Sequence, residues 1–159
     1  MSEQSKEKGG YDFGSPIANL SRYFVAAEKM ALLYHETLRN PEISKALREC
    51  NLSDSKACNK LMIQLHSSDY GVFMLYWCAA LYVVIEGFRK LKRRDEKIEE
   101  LLRSPNVDAL RLLRNATFHF QNEFVSPKVM TFLRAKGSGT WLRSLTEAFS
   151  EYFTHETTQ

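Results

Sequence analysis

Sixteen consecutive residues, Tyr70 to Ile85 (YGVFMLYWCAALYVVI), carry no charge, and a chain of 159 residues has few ways to hide such a run. A segment apolar all round has no face to offer water, so it belongs inside a fold or inside a bilayer. At roughly 1.5 Å per residue the run spans about 24 Å, short of the roughly 30 Å of a hydrocarbon core. Glu86 follows at once, then Gly87, Phe88 and the basic run RKLKRR from Arg89 to Arg94. The expectation is a central helix buried in a bundle, with no membrane contact.

The rest of the chain has the patterning to surround that helix. Ser15 and Pro16 form a cap and a first helical residue, and Ile17, Leu20, Phe24, Ala27, Ala31, Tyr34 and Leu38 then recur at steps of three and four. Asn40-Pro41 ends this helix and opens a short one to about Cys50, and Ser53 is expected to cap another through Leu65. Ser67, Ser68 and Asp69 lead into the central helix, expected to reach about Lys92. Asp95 caps DEKIEELLRS, Pro105-Asn106 interrupts, and NVDALRLLRNATFHF follows with Val107, Leu110, Leu113, Thr117 and Phe120 along one stripe. Ser126-Pro127 opens SPKVMTFLRAK. Beyond Gly137 and Gly139 a last helix carries Trp141, Leu145, Ala148, Phe149 and Tyr152 on its apolar side. No alternating strand pattern and no internal repeat is visible. The sequence therefore predicts an all-α helical bundle of about five to seven helices, one domain over 15–159 behind a loose polar tail over 1–14.

Composition narrows the function. Hydrophobic residues make up 44% of the chain, enough for one real core and too little length for two domains. The net charge of +3 excludes a polybasic, histone-like binder, so any nucleic-acid contact needs a local patch. Cys50, Cys58 and Cys78 are odd in number and lack CxxC spacing, which fits neither a disulfide framework nor a zinc site. With no apolar segment behind MSEQSKEKGG to serve as a secretory signal, the expected setting is the cytoplasm.

Several motifs have ordinary readings. KGSGT, Lys136 to Thr140, lacks the order of a phosphate-binding loop and reads as a glycine turn between helices. His35, His66 and His155 have no metal-ligand spacing and read as surface histidines. The run Arg89, Lys90, Lys92, Arg93, Arg94 could track a phosphate backbone, but acids follow it directly, and a solvated helix end explains it as well. Glu86 is less ordinary, because an ionised carboxylate in an apolar helix requires a cation or an edge position. It is either a structural ion pair or a group that aims an arginine, and Arg114 is its expected partner.

Arg114, Asn115 and His119 carry the most chemical information. On an ideal helix Asn115 and His119 share a face, whereas Arg114 lies roughly 140° round and about 7.5 Å along from His119. A helix turn near Phe120, or a second copy of the chain, would let guanidinium and imidazole converge on one phosphate. An imidazole moves a proton near neutral pH, and a guanidinium neutralises the charge gained at a pentacoordinate phosphorus. The plain alternative is a chance pairing of two polar residues near a helix end.

An all-α bundle with R-N-x3-H late in a helix, set in SPNVDALRLLRNATFHFQ, resembles the HEPN domain (higher eukaryotes and prokaryotes nucleotide-binding) over about Tyr70 to Phe153. The resemblance implies a metal-independent endoribonuclease without a cofactor, in which a ribose 2′-hydroxyl attacks the adjacent phosphate and leaves a 2′,3′-cyclic phosphate. Carried over, His119 is the general base or acid, Arg114 the clamp on the phosphorane and Asn115 the positioning group. It also implies a homodimer with the Arg/His pairs facing one cleft, RNA as substrate, a toxin or phage-defence role, and a nucleotidyltransferase-like antitoxin as a frequent partner. Other HEPN members are non-catalytic interaction or nucleotide-binding modules, which is the alternative reading.

Overall fold

The structure, a computed structural model, describes residues 14–124 and 126–157. The tail expected over 1–14 lies outside the described residues except for Gly14. The described residues contain eight helices and no strand: α1 (Pro16–Thr37), α2 (Pro41–Glu49), α3 (Ser55–Ser67), α4 (Asp69–Lys90), α5 (Glu96–Leu101), α6 (Asn106–Phe118), α7 (Pro127–Arg134) and α8 (Ser138–Thr157). The all-α bundle stands, with one helix more among the described residues than the upper expectation.

Local chemistry sets most boundaries. Ser15 Oγ accepts from Ala18 N at 3.1 Å with Pro16 at the first helical position, and Asn40 Oδ1 accepts from Glu42 N at 2.9 Å. Asp95 Oδ1 accepts from Ile98 N at 2.9 Å. The cap of α3 is Asp54 and not Ser53: its carboxylate accepts from Lys56 N at 2.8 Å, a charge-assisted bond that a hydroxyl does not match. At α4, Ser68 holds the cap position, but its hydroxyl turns back to donate to the Gln64 carbonyl. Gly139 is no separator; it falls in the first turn of α8, and Gly137 alone, at φ 70°, makes the turn.

α4 is the centre. α1 packs along it most extensively, and α6 and α3 also pack on it, while α8 closes the bundle through α1, α5 and α7. An aromatic cluster joins three of these helices: Phe24 of α1 stacks on Phe153 of α8 at 5.2 Å, and Phe88 of α4 meets Phe149 and Tyr152 edge-on at 5.6 and 5.5 Å. Leu81, Val84, Ile85, Leu110, Leu113 and Leu145 are fully buried beside it, each stabilising by roughly 1.5–3 kcal/mol relative to exposure. The stripe expected on α8 is buried throughout, whereas on α6 Phe120 departs from its stripe. It is 91% exposed, because the helix has already ended.

α4 extends past the sixteen-residue uncharged run, as expected, and ends at Lys90, close to the expected Lys92. It continues through Glu86 to 22 residues, so by length and composition alone it is long and apolar enough to cross a membrane. Of its most apolar stretch, 56% is buried within the fold.

Candidate functional site

α6 lies against α4 through Val107, Leu110 and Leu113, which turns Arg114 toward the flank of α4. There Tyr82 and Glu86, one helical turn apart, present a ring face and a carboxylate. Arg114 Cζ stands 5.1 Å from the centre of the Tyr82 ring, its Nη2 pairs with Glu86 Oε1, and its Nη1 donates to Asn115 Oδ1 at 3.0 Å. The expected partner of Glu86 is thus the one present, and Glu86 is an edge residue, its side chain half exposed. Burial, then the Glu86 carboxylate, push the Tyr82 phenol above its ordinary pKa, while Arg111, Arg114 and Arg89 draw it down.

The guanidinium is held on three sides. Its Nε–H is buried with no acceptor among the described residues, and the electron-rich Tyr82 face lies beside it. With a single bond made by each of Nη1 and Nη2, one N–H on each nitrogen is left for a ligand. An arginine so restrained is preorganised: it loses little conformational freedom on meeting an oxyanion.

His119 is placed differently from the helical-wheel expectation. α6 ends at Phe118, and His119 is its C-cap, in extended backbone at φ −118° and ψ 140°. Its N–H reaches the Asn115 carbonyl at 3.0 Å, and its own carbonyl accepts from Gln121 Nε2 at 2.9 Å, so the backbone is fixed. The imidazole is exposed and makes no hydrogen bond or ion pair to Arg114, Asn115 or Glu86 among the described residues. The structure therefore brings Arg114, Asn115 and Glu86 together and leaves His119 at the solvent edge one turn further on.

Sequence reasoning missed two parts of this neighbourhood. Tyr82, the floor under Arg114, was counted as core; its place one turn before Glu86 was the available signal. Around the motif, Tyr76 and Phe118 meet edge-on at 5.8 Å and are each 47% exposed, and Phe124, 61% exposed, meets His66 at 5.3 Å. With Phe120, 91% exposed, they are an exposed aromatic rim at the end of α6. His35, His66 and His155 are on the surface as expected, and no group of three or more His, Cys, Asp or Glu is placed to hold a metal ion among the described residues.

Scans against protein-family models, curated proteins and solved structures find no match to this chain.

Proposed function

We propose that this chain is a HEPN-like, metal-independent endoribonuclease of the cytoplasm, acting as a homodimer and cleaving RNA by attack of a ribose 2′-hydroxyl on the neighbouring phosphate. The observation that carries the reading is the restrained Arg114, held by Glu86, Asn115 and Tyr82 at one end of a motif whose other member, His119, is open to solvent. In the proposed reaction the His119 imidazole takes the proton of the 2′-hydroxyl as its oxygen bonds to phosphorus. Arg114 N–H groups neutralise the added charge, and the bond to the 5′-oxygen breaks as that oxygen takes a proton from water, leaving a 2′,3′-cyclic phosphate.

The same geometry supports the homodimer in this reading. His119 is separate from Arg114 within one chain, and the aromatic rim of Tyr76, Phe118, Phe120 and Phe124 beside the motif suits a face that a second copy covers. A toxin or phage-defence role with a nucleotidyltransferase-like antitoxin belongs to this proposal. The test is cleavage of RNA by purified protein in EDTA, with His119→Ala and Arg114→Ala prepared in parallel. Loss of cleavage in both, with circular dichroism unchanged, is expected, and equal cleavage by wild type and His119→Ala would refute the assignment.

One observation favours a second reading, a non-catalytic interaction module: the charge of Arg114 is already matched by Glu86. That reading predicts self-association through the aromatic rim and no cleavage by the wild type.

A further inference from the structure

The C-terminal end of α4 opens into a groove of about 510 Å³ lined by Arg89, Lys92, Arg93, Arg94 and Arg103 against a single carboxylate, Glu99. Part of this charge is committed. Arg93 donates to Tyr152 Oη at 2.7 Å and pairs with Glu156 at 2.5 Å, Arg103 pairs with Glu100 at 3.4 Å, and Arg94 Nε lies 2.7 Å from Glu99 without the alignment of a hydrogen bond. Arg89 and Lys92 are exposed, and their side chains make no hydrogen bond or ion pair among the described residues.

Backbone geometry adds an independent observation. Lys92 has φ 52°, the left-handed region, and is the described non-glycine residue that adopts it. It follows the C-cap Leu91, and the N–H groups of Lys92 and Arg93 reach the carbonyls of Arg89 and Phe88 at 3.0 and 3.1 Å. This is the helix ending in which glycine is the favoured residue, and a side chain there costs about 1 kcal/mol. A lysine at such a position places a charge at the groove at the expense of stability.

The groove and the Arg114 site share helix α4, through Arg89 and Glu86. Tyr82, Glu86 and Arg89 follow one another at helical steps along one stripe of α4. Arg89 is roughly 4.5 Å along the axis from Glu86, the partner of Arg114. Arg114 lies over the Tyr82 ring, and Arg111, Arg114 and Arg89 each favour the ionised form of its phenol.

We infer that this groove holds the sugar-phosphate backbone of RNA beside the Arg114 site, with Arg89 and Lys92 as its phosphate contacts. The choice of RNA rests on the ribonuclease reading; the choice of a strand over a lipid surface rests on shape. The groove is concave, and its apolar residues, Phe88 and Leu102, are buried and half-buried, so nothing apolar projects from it to enter a leaflet. Exposed cations along a groove are the ordinary means of tracking a single strand.

The experiment measures binding of a short fluorescein-labelled single-stranded RNA by anisotropy across a salt series, in full-length His119→Ala protein so that the RNA stays intact. Adding Arg89→Ala and Lys92→Ala is expected to weaken binding about tenfold and to lower the slope of log affinity against log salt by about 0.7 per cation removed. Lys29→Ala with Lys45→Ala, exposed cations on α1 and α2, is the control expected to change neither. Lys92→Gly is expected to raise Tm while weakening binding, a combination that a purely structural role for Lys92 does not produce. Unchanged affinity and slope in the Arg89/Lys92 variant overturns the inference. So does loss of binding to phosphatidylserine vesicles with RNA binding intact, which assigns the groove to lipid. Groove-dependent RNA binding without cleavage by the wild type removes the nuclease reading and keeps the groove; cleavage with groove-independent binding does the reverse.

Discussion

Glu86 acts at the scale of one residue, and its role as a positioning group for Arg114 is open to measurement. Glu86→Ala frees the guanidinium from one of its restraints and is expected to lower kcat for RNA cleavage about tenfold, equivalent to roughly 1.4 kcal/mol, with KM little changed. Glu86→Gln keeps an acceptor and is expected to restore most of that loss. Because the pair is partly solvated, the fold itself changes by no more than about 1 kcal/mol. Equal kcat in wild type and Glu86→Ala would reduce the ion pair to a structural feature. His35 supplies a pH dependence unconnected with that chemistry. Its ring lies 5.4 Å from Trp77, and burial, then the charge of Arg143, hold its pKa below the ordinary histidine value. A folded-state pKa below the unfolded one means that the stability is present above the unfolded value and is lost as pH falls through the folded one. Thermal melts between about pH 7 and pH 5 are therefore expected to fall more steeply for wild type than for His35→Gln, and parallel curves would contradict the assignment. Glu86 was legible in the sequence because a carboxylate in an apolar run demands a cation. The position of His119 was not, because no glycine or proline marks the end of α6, which stops at Phe118.

At the scale of elements, the junction of α3 and α4 is the tightest point in the bundle. A Cβ built on Gly71 falls 2.2 Å from the Leu65 carbonyl oxygen and 2.3 Å from its Cα, backbone atoms that cannot move aside without displacing the end of α3. Gly71→Ala is expected to destabilise by roughly 2–3 kcal/mol despite the better helix propensity of alanine, measured as a lower urea midpoint. A midpoint at or above that of wild type would show that α3 shifts freely. Gly87 differs: there the obstruction is the end of the Leu20 side chain and not backbone. Helix starts were legible wherever an Asx or Ser residue preceded a proline or an acidic turn. Their exact caps were less so, since Ser53 and Asp54 are both competent and the carboxylate makes the stronger bond. The extent of α4 was legible as well: the helix expected to about Lys92 ends at Lys90, because a half-exposed, paired carboxylate does not interrupt it.

For the whole molecule, the proposed ribonuclease centre requires two copies, with Arg114 of one chain serving the same phosphate as His119 of the other. Neither Arg114→Ala nor His119→Ala alone is expected to cleave RNA, but an equal mixture after subunit exchange is expected to recover about a quarter of wild-type activity, since half the dimers are mixed and each holds one complete site. A mixture as inactive as its components would place both groups of each site in one chain. The bundle and its core were legible from the uncharged run and the spacing of apolar residues. The aromatic rim was not, because Phe120 and Phe124 look like core residues until the end of α6 is located. The most direct measurement is the chemical end left on the RNA. Wild-type protein in EDTA is expected to yield fragments ending in a 2′,3′-cyclic phosphate, and His119→Ala none. Intact RNA from the wild type, or the same fragments from His119→Ala, would contradict the account.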